Sequence, residues 1–333
     1  MGKYFLLRFI SMLLVLLVAI VLVFTLMEFS PGDPVRTMLG EGATAEEQAM
    51  LREKFGLDRS YIERLGSFIW GMLHGDLGES YRSGLSVFDE IISRYPITLK
   101  LTFGSVLLGI LIGVPVGIIS SVNQYSIFDR IFTGISLFGV SAPSFWIAML
   151  LVLIFSVKLG WLPPTGTYDF KYWILPVATM GLQTSASIMR MTRSSILEIV
   201  RQDYIRTARA KGQSEQKIVW KHILPNALIP ILTTVGINIC SFLGGSVLVE
   251  TVFAMPGIGK YILDCVNFKD YPSVLGGIVW ISLNSVVVTF IIDMLYAVVD
   301  PRIKSVYGFK KTTKKTQTNK LLQEKSLERS QKA

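Results

Sequence analysis

The sequence is short of charge, of cysteine and of histidine, and each shortage excludes something. Of 333 residues, 17% are Asp, Glu, Lys or Arg and 51% are apolar, against about 25% charged in soluble domains. The mean hydropathy is +0.50. That balance excludes an ordinary cytosolic enzyme and a disordered chain. Two cysteines, Cys240 and Cys265, provide neither a disulfide framework nor metal-ligand spacing, so a secreted disulfide scaffold is excluded as well. Two histidines, His74 and His222, lie in unrelated segments and no helix carries paired acids, so no hydrolase centre or metal site can be assembled. A phosphate-binding loop is also missing. The nearest run, Gly257-Ile-Gly-Lys260, lacks the upstream glycine and continues into Tyr261.

What the chain has instead is apolar runs. A transmembrane helix needs about 20 mostly apolar residues, and that ruler finds six stretches, near 9–27, 99–122, 131–157, 174–190, 226–249 and 276–299. The predicted fold class is an all-α membrane protein of six transmembrane helices. Lys3 and Arg8 ahead of the first run imitate a signal peptide. The run is longer than an h-region of about 7–15 residues, and no small-residue cleavage site follows, so it reads as a retained helix. The fourth run carries Pro176, Gln183 and four Ser/Thr residues, which suits a helix facing protein or water. Neither half of the chain repeats the other, which argues against an internally duplicated secondary transporter.

The net charge of +9 reads as topology rather than as affinity for nucleic acid. Segment 190–225 holds eight Lys/Arg, whereas 158–173 and 250–275 hold two each. The positive-inside rule then places both termini in the cytoplasm. Residues 1–304 read as one membrane domain, with an external loop at 28–98 and a cytoplasmic loop at 191–225. Residues 305–333 form a basic polar tail, expected to be disordered and to touch anionic lipid.

The external loop is far longer than a helix connection requires, so it should carry structure. Thr44 with Glu47 and Ser60 with Glu63 are capping boxes, predicting helices that stop at Gly56 and near Gly75. In the second helix Leu65, Phe68, Ile69, Met72 and Leu73 form an apolar stripe, expected to cover the outer ends of the bundle or lie in the interface beside Trp70. The 28–100 segment has 8 basic and 12 acidic residues, a surface for a cationic or zwitterionic partner.

In the cytoplasmic loop, Arg190, Arg193, Arg201, Arg206, Arg209, Lys211, Lys217 and Lys221 are interleaved with helix formers. Gly212 interrupts, and a second short run leads to Leu224-Pro225, where the next membrane helix begins. The pattern is helix, glycine turn, helix, because glycine accepts the positive φ of a tight reversal and proline suits a helix start. Such a hairpin can dock a soluble protein; an ordinary basic loop accounts for the same residues equally well.

The spacing resembles the cytoplasmic signature of permease subunits in ATP-binding-cassette importers: Glu-Ala-Ala, three residues, Gly, nine residues, Ile, one residue, Leu-Pro. Ala208, Gly212, Leu224 and Pro225 fall at matching positions, while Arg206, Thr207 and His222 replace the glutamate, the first alanine and the isoleucine. The run from Asp203 to Gly212 resembles the form found in the di- and oligopeptide branch. Pro31-Gly-Asp-Pro34, Gly75-Asp-Leu-Gly78 with Ser80, Ala142-Pro-Ser-Phe-Trp146 and Leu162-Pro163 resemble that branch too, and the long loop after the first helix resembles its B-type permease.

The resemblance implies a prokaryotic cell-membrane subunit that is not itself an enzyme and holds no cofactor or metal. Its implied partners are a C-type permease, two cytoplasmic ATPases that bind ATP and Mg²⁺, and an extracytoplasmic substrate-binding protein. The 205–222 hairpin would sit in a groove of one ATPase. Short peptides are the implied cargo, with nickel or a metal chelate as the alternative within the family. An ion-coupled secondary transporter and a receptor or scaffold are the alternatives outside it.

Inside the apolar runs, Gly109, Gly113 and Gly117 share one helix face and permit close helix approach, with Pro115 adding a kink. Gln183, Asn238, Asn284 and Asp293 are the polar candidates for a translocation path, and for Asp293 an ion pair or helix-end contact is the competing role.

Overall fold

The computed structural model describes residues 2–29, 32–40 and 42–299. The 305–333 tail and Pro31 lie outside the described residues, as does the side chain of Asp293. Among the described residues the chain is helical, with one isolated bridge between Glu79 and Ser86.

The first long helix, α1 (Gly2–Glu28), is followed by three short ones, α2 (Pro34–Leu39), α3 (Ala45–Lys54) and α4 (Tyr61–Leu73). Both predicted capping boxes are formed: Thr44 and Ser60 accept from the backbone N–H groups of Glu47 and Glu63, whose carboxylates bond back to the cap residues. Those bonds hold both carboxyls below the usual Glu range. Gly56 and Gly75 follow the two helices at positive φ. The second helix docks on the end of α1, where Thr25 and Tyr61 share a 2.7 Å hydrogen bond and Arg64 pairs with Glu28. Its apolar stripe is only half-covered, with Trp70 and Leu73 exposed.

The central unit is α5 (Val87–Val122) packed along α8 (Lys171–Val200). In chain order α6 (Ile127–Ser141) and α7 (Ser144–Leu151) come between these two, the latter continuing as a wider π-helical stretch over Val152–Lys158. The expected span at 131–157 is not one straight helix; it bends by 106° at Ala142-Pro143. Proline lacks the amide proton that would continue the helix and pushes the preceding residue to extended backbone, and Ala142 has ψ 132°.

The fourth apolar run also differs from expectation, because α8 continues to Val200, ten residues beyond the predicted end at 190. The membrane ruler measures hydropathy, whereas Arg190, Arg193 and Glu198 are helix formers that extend the helix in polar surroundings. Then come α9 (Asp203–Ala210), α10 (Glu215–Ile218), a π-helical stretch at Val219–Ile223 and α11 (Leu224–Leu243). The last of these stops short of the predicted 249 because Gly244 and Gly245 follow, Gly245 at φ +125°. The chain ends its described part in α12 (Val247–Val252), α13 (Ile258–Asn267) and α14 (Tyr271–Val299).

Among the described residues, three helical stretches, Val87–Val122, Glu215–Leu243 and Tyr271–Tyr296, are long and apolar enough to cross a membrane, and the bent α6–α7 pair makes a fourth if counted as one span. Large apolar side chains are exposed along α1, α5, α6 and α14, including Leu14, Val15, Phe103, Leu111, Phe138 and Phe290. A surface of that kind belongs against lipid or protein, not water.

Candidate functional site

The hairpin forms as the sequence pattern suggests. Gly212 takes φ +72° with open space around its Cα, so conformation and not crowding requires glycine there. Across the turn Arg209 donates twice to Glu215, at 2.7 and 3.1 Å. His222 Nε2 shares a 2.9 Å hydrogen bond with Gln213. Beneath these polar contacts lies an apolar plug: Ile205 and Ala208 of α9, Ile218 of α10, then Val219 and Ile223, packed against Ile188 and Ile196 of α8 and Ala227 and Ile231 of α11. Arg206 and Thr207 stay exposed, Arg206 making only a loose 3.8 Å pair with Asp203. Leu224 and Pro225 open α11. Tyr204 and Trp220 are large exposed aromatics flanking the hairpin.

Above the hairpin, α8 meets α5 through the glycine seam. A Cβ at Gly113 would stand 2.7 Å from the Ser185 carbonyl oxygen, and one at Gly117 would stand 2.7 Å from Thr192 Cβ. At Gly109 it would run into the Thr184 side chain. Only glycine lets the two backbones approach this closely.

The other face of α8 lines a groove of about 640 Å³ with α6 and α11. Ser187, Arg190 and Ser194 of α8 and Thr234 and Asn238 of α11 supply its polar wall. Asn238 lines this groove, with its Nδ2 donating to the Thr234 carbonyl at 2.7 Å. Gln183 lies one turn before Ser187, and its Nε2 donates 2.7 Å to the Ala142 carbonyl, bracing the α6–α7 bend. Asn284 is elsewhere: it accepts from Tyr95 of α5 and donates to the Trp280 carbonyl at 2.8 Å. The polar candidates thus divide between a groove, a helix bend and a helix pair.

Three carboxylates that sequence reasoning passed over are the most buried charged groups among the described residues. Asp129 receives two bonds from Arg193, at 2.7 and 2.9 Å, and others from Ser120 and the Tyr125 backbone, tying the α5–α6 turn to α8. At the opposite end of the bundle Glu250 accepts from Thr98 Oγ1 (2.9 Å), Ser246 Oγ (3.0 Å) and the Lys260 N–H (2.8 Å). Asp270 accepts from Ser80 Oγ (2.6 Å), the Tyr81 N–H (3.0 Å) and Ser273 Oγ (2.9 Å). Burial pushes the Tyr81 hydroxyl and the nearby Cys265 thiol up to about 12 each. The one sequence-level signal for these sites is Ser80, quoted with the Gly75–Gly78 motif. For the hairpin clamp it is the opposite charges of Arg209 and Glu215 flanking Gly212.

Comparison with known proteins gives a consistent answer. The family described as binding-protein-dependent transport system inner membrane component matches residues 113–305, and its N-terminal companion matches 1–102. The dipeptide transport system permease protein DppB of Alkalihalophilus pseudofirmus is 38% identical over 332 residues, covering 91% of this chain and all of that one. The glutathione transport system permease protein GsiC of Pectobacterium atrosepticum is 40% identical, covering 91% of this chain and 99% of its own length. Among solved structures, an inward-facing form of the MetNI methionine ABC transporter superposes with a TM-score of 0.51 at 22% identity, covering 63% of this chain and 96% of that one.

Proposed function

The chain belongs to the family of binding-protein-dependent transport system inner membrane components, and we propose that it is the B-type permease of a di- or oligopeptide importer. Membership makes it a multi-pass membrane transport subunit that works with an ATPase and a substrate-binding protein, which sets aside an ion-coupled carrier. The observation that carries the peptide reading is its identity of 38–40% over 91% of its length to relatives named for dipeptide and glutathione transport.

In this reading six spans cross the membrane: α1, α5, the bent α6–α7 pair, α8, α11 and α14. Both termini and the 191–225 segment face the cytoplasm, as the Lys/Arg asymmetry supports. A second, C-type permease completes the translocation path, and the polar α6–α8–α11 groove with Asn238 is this chain's share of it. Two ATPases hold ATP and Mg²⁺; this chain binds no nucleotide and catalyses no reaction.

The 203–223 hairpin is the coupling element. Its inner face is plugged into α8 and α11, while Tyr204, Arg206, Thr207 and Trp220 face outward as aromatic and cationic anchors for a partner groove. Closure of the ATPase pair would push the hairpin, and the plug would pass the displacement to two spans at once.

Mild-detergent purification tests the assembly: ATPase, second permease and binding protein should co-purify, and the binding protein should hold a short peptide. Gly212→Val tests the coupling. A β-branched residue at φ +72° costs about 1–3 kcal/mol of backbone strain, so the variant should insert and assemble but lose substrate-stimulated ATP hydrolysis. Wild-type transport by Gly212→Val would refute the coupling role.

A further inference from the structure

The groove wall carries more cation than its neighbours neutralise. Two arginines line it, Arg190 and Arg193, and no Asp or Glu does. Arg193 is spoken for, since Asp129 takes its guanidinium in a two-point bond. Arg190 is exposed and has no carboxylate partner among the described residues. It stands on the same face of α8 as Gln183, Ser187 and Ser194, at steps of four, three and four residues, so the stripe faces one way. Ser187 and Ser194 add hydroxyl donors one turn to either side. Asn238 across the groove spends one amide N–H on Thr234 and keeps the other.

We infer that Arg190, with Ser187, Ser194 and Asn238 around it, is a carboxylate-recognition station in the groove, selecting cargo that carries a free anionic terminus. The inference rests on the reading of this groove as a path for peptides. Its chemistry is that of a planar guanidinium, which takes a carboxylate by two parallel N–H bonds, set among neutral donors with no competing acid. A peptide with a free C-terminus presents that group and its amide does not. A groove wall with unneutralised positive charge also raises the local concentration of anions, by about tenfold at the low end of what charged clefts achieve. Arg190 would thus draw the anionic end of the cargo along α8 toward the hairpin end.

The test uses the intact importer complex carrying Ile237→Cys, an exposed position on the same groove outside the station, on a Cys240→Ser background; Cys265 is buried and stays silent. The thiol is labelled with a negatively charged sulfonatoethyl and a positively charged trimethylammonioethyl methanethiosulfonate. With each rate divided by that reagent's rate on a free small-molecule thiol, the anionic reagent should be favoured about tenfold when Arg190 is present. Arg190→Gln should bring the ratio close to one, and Arg190→Lys should retain most of the preference. Dialanine should protect the thiol and dialanine amide should not.

A ratio that ignores Arg190→Gln overturns the station, as does equal protection by acid and amide. A wild-type ratio near one overturns it as well. A preserved anionic preference with no protection by dialanine would leave the anion station standing and refute the peptide reading alone.

Discussion

Glu250 and Asp270 at one end of the bundle are buried carboxylates that accept from hydroxyls and backbone N–H groups of distant segments. The hairpin at the other end is held by an apolar plug, with its charges on the exposed side. These are different kinds of attachment. Hydrogen bonds to a buried carboxylate are directional, so the segments they join have one geometry and a shift of an ångström breaks several bonds together. Apolar contact is not directional and tolerates sliding so long as the surface stays covered. The loop end is therefore built as a fixed frame, and the hairpin as an element that can move without coming off.

The sharpest way to break that comparison is at Glu250. Replacing it by Ala leaves Thr98, Ser246 and the Lys260 N–H without their shared acceptor in a site that is 0% exposed. Each stranded donor costs about 1–3 kcal/mol, so Glu250→Ala should destabilise the detergent-purified subunit by about 3 kcal/mol or more, read as a fall in its melting temperature. An unchanged melting temperature would show that the frame is held by something else.

A smaller and more local effect is expected at the plug. Ile218 is fully buried among the hairpin and span residues, and truncation of such an Ile to Ala costs about 2–5 kcal/mol. The loss should fall on docking of the hairpin rather than on the bundle. Trypsin would then cut after Arg206, Arg209 or Lys211 in Ile218→Ala while the melting of the bundle barely changes. Bundle melting that falls in step with proteolysis would mean the two ends unfold as one unit, and the contrast between frame and lever would be gone.

How much of this was legible beforehand follows from sequence distance. The capping boxes, the positive φ at Gly212 and the glycine seam are local patterns, read from residues three or four apart or from one residue's conformational freedom. The 106° bend needed only Pro143, but an apolar-window ruler sums hydropathy and does not register a missing amide. The frame was out of reach for a different reason. Thr98 and Glu250 are 152 residues apart, and Ser80 and Asp270 are 190 apart. Nothing local in a chain marks two residues at that separation as partners. The polar candidates scattered for a related reason: Gln183 and Asn284 each found a carbonyl or hydroxyl to bond, which a list of polar residues in apolar runs does not foresee.

The smallest expected effect is at the Arg209–Glu215 clamp, and it decides what holds the lever in shape. The pair has good two-point geometry, yet its side chains are 40% and 62% exposed, and exposed pairs contribute about 0–1 kcal/mol once solvent screening is counted. Arg209→Ala should therefore leave tryptic protection of the hairpin within about twofold of wild type, and added salt should change it little. The turn is set by the backbone of Gly212 and held down by Ile205, Ile218 and Ile223, with the ion pair only trimming it. If Arg209→Ala opened the hairpin as fully as Ile218→Ala, the exposed charges would be the attachment and not the decoration, and the hairpin would resemble the carboxylate-tied frame at the other end.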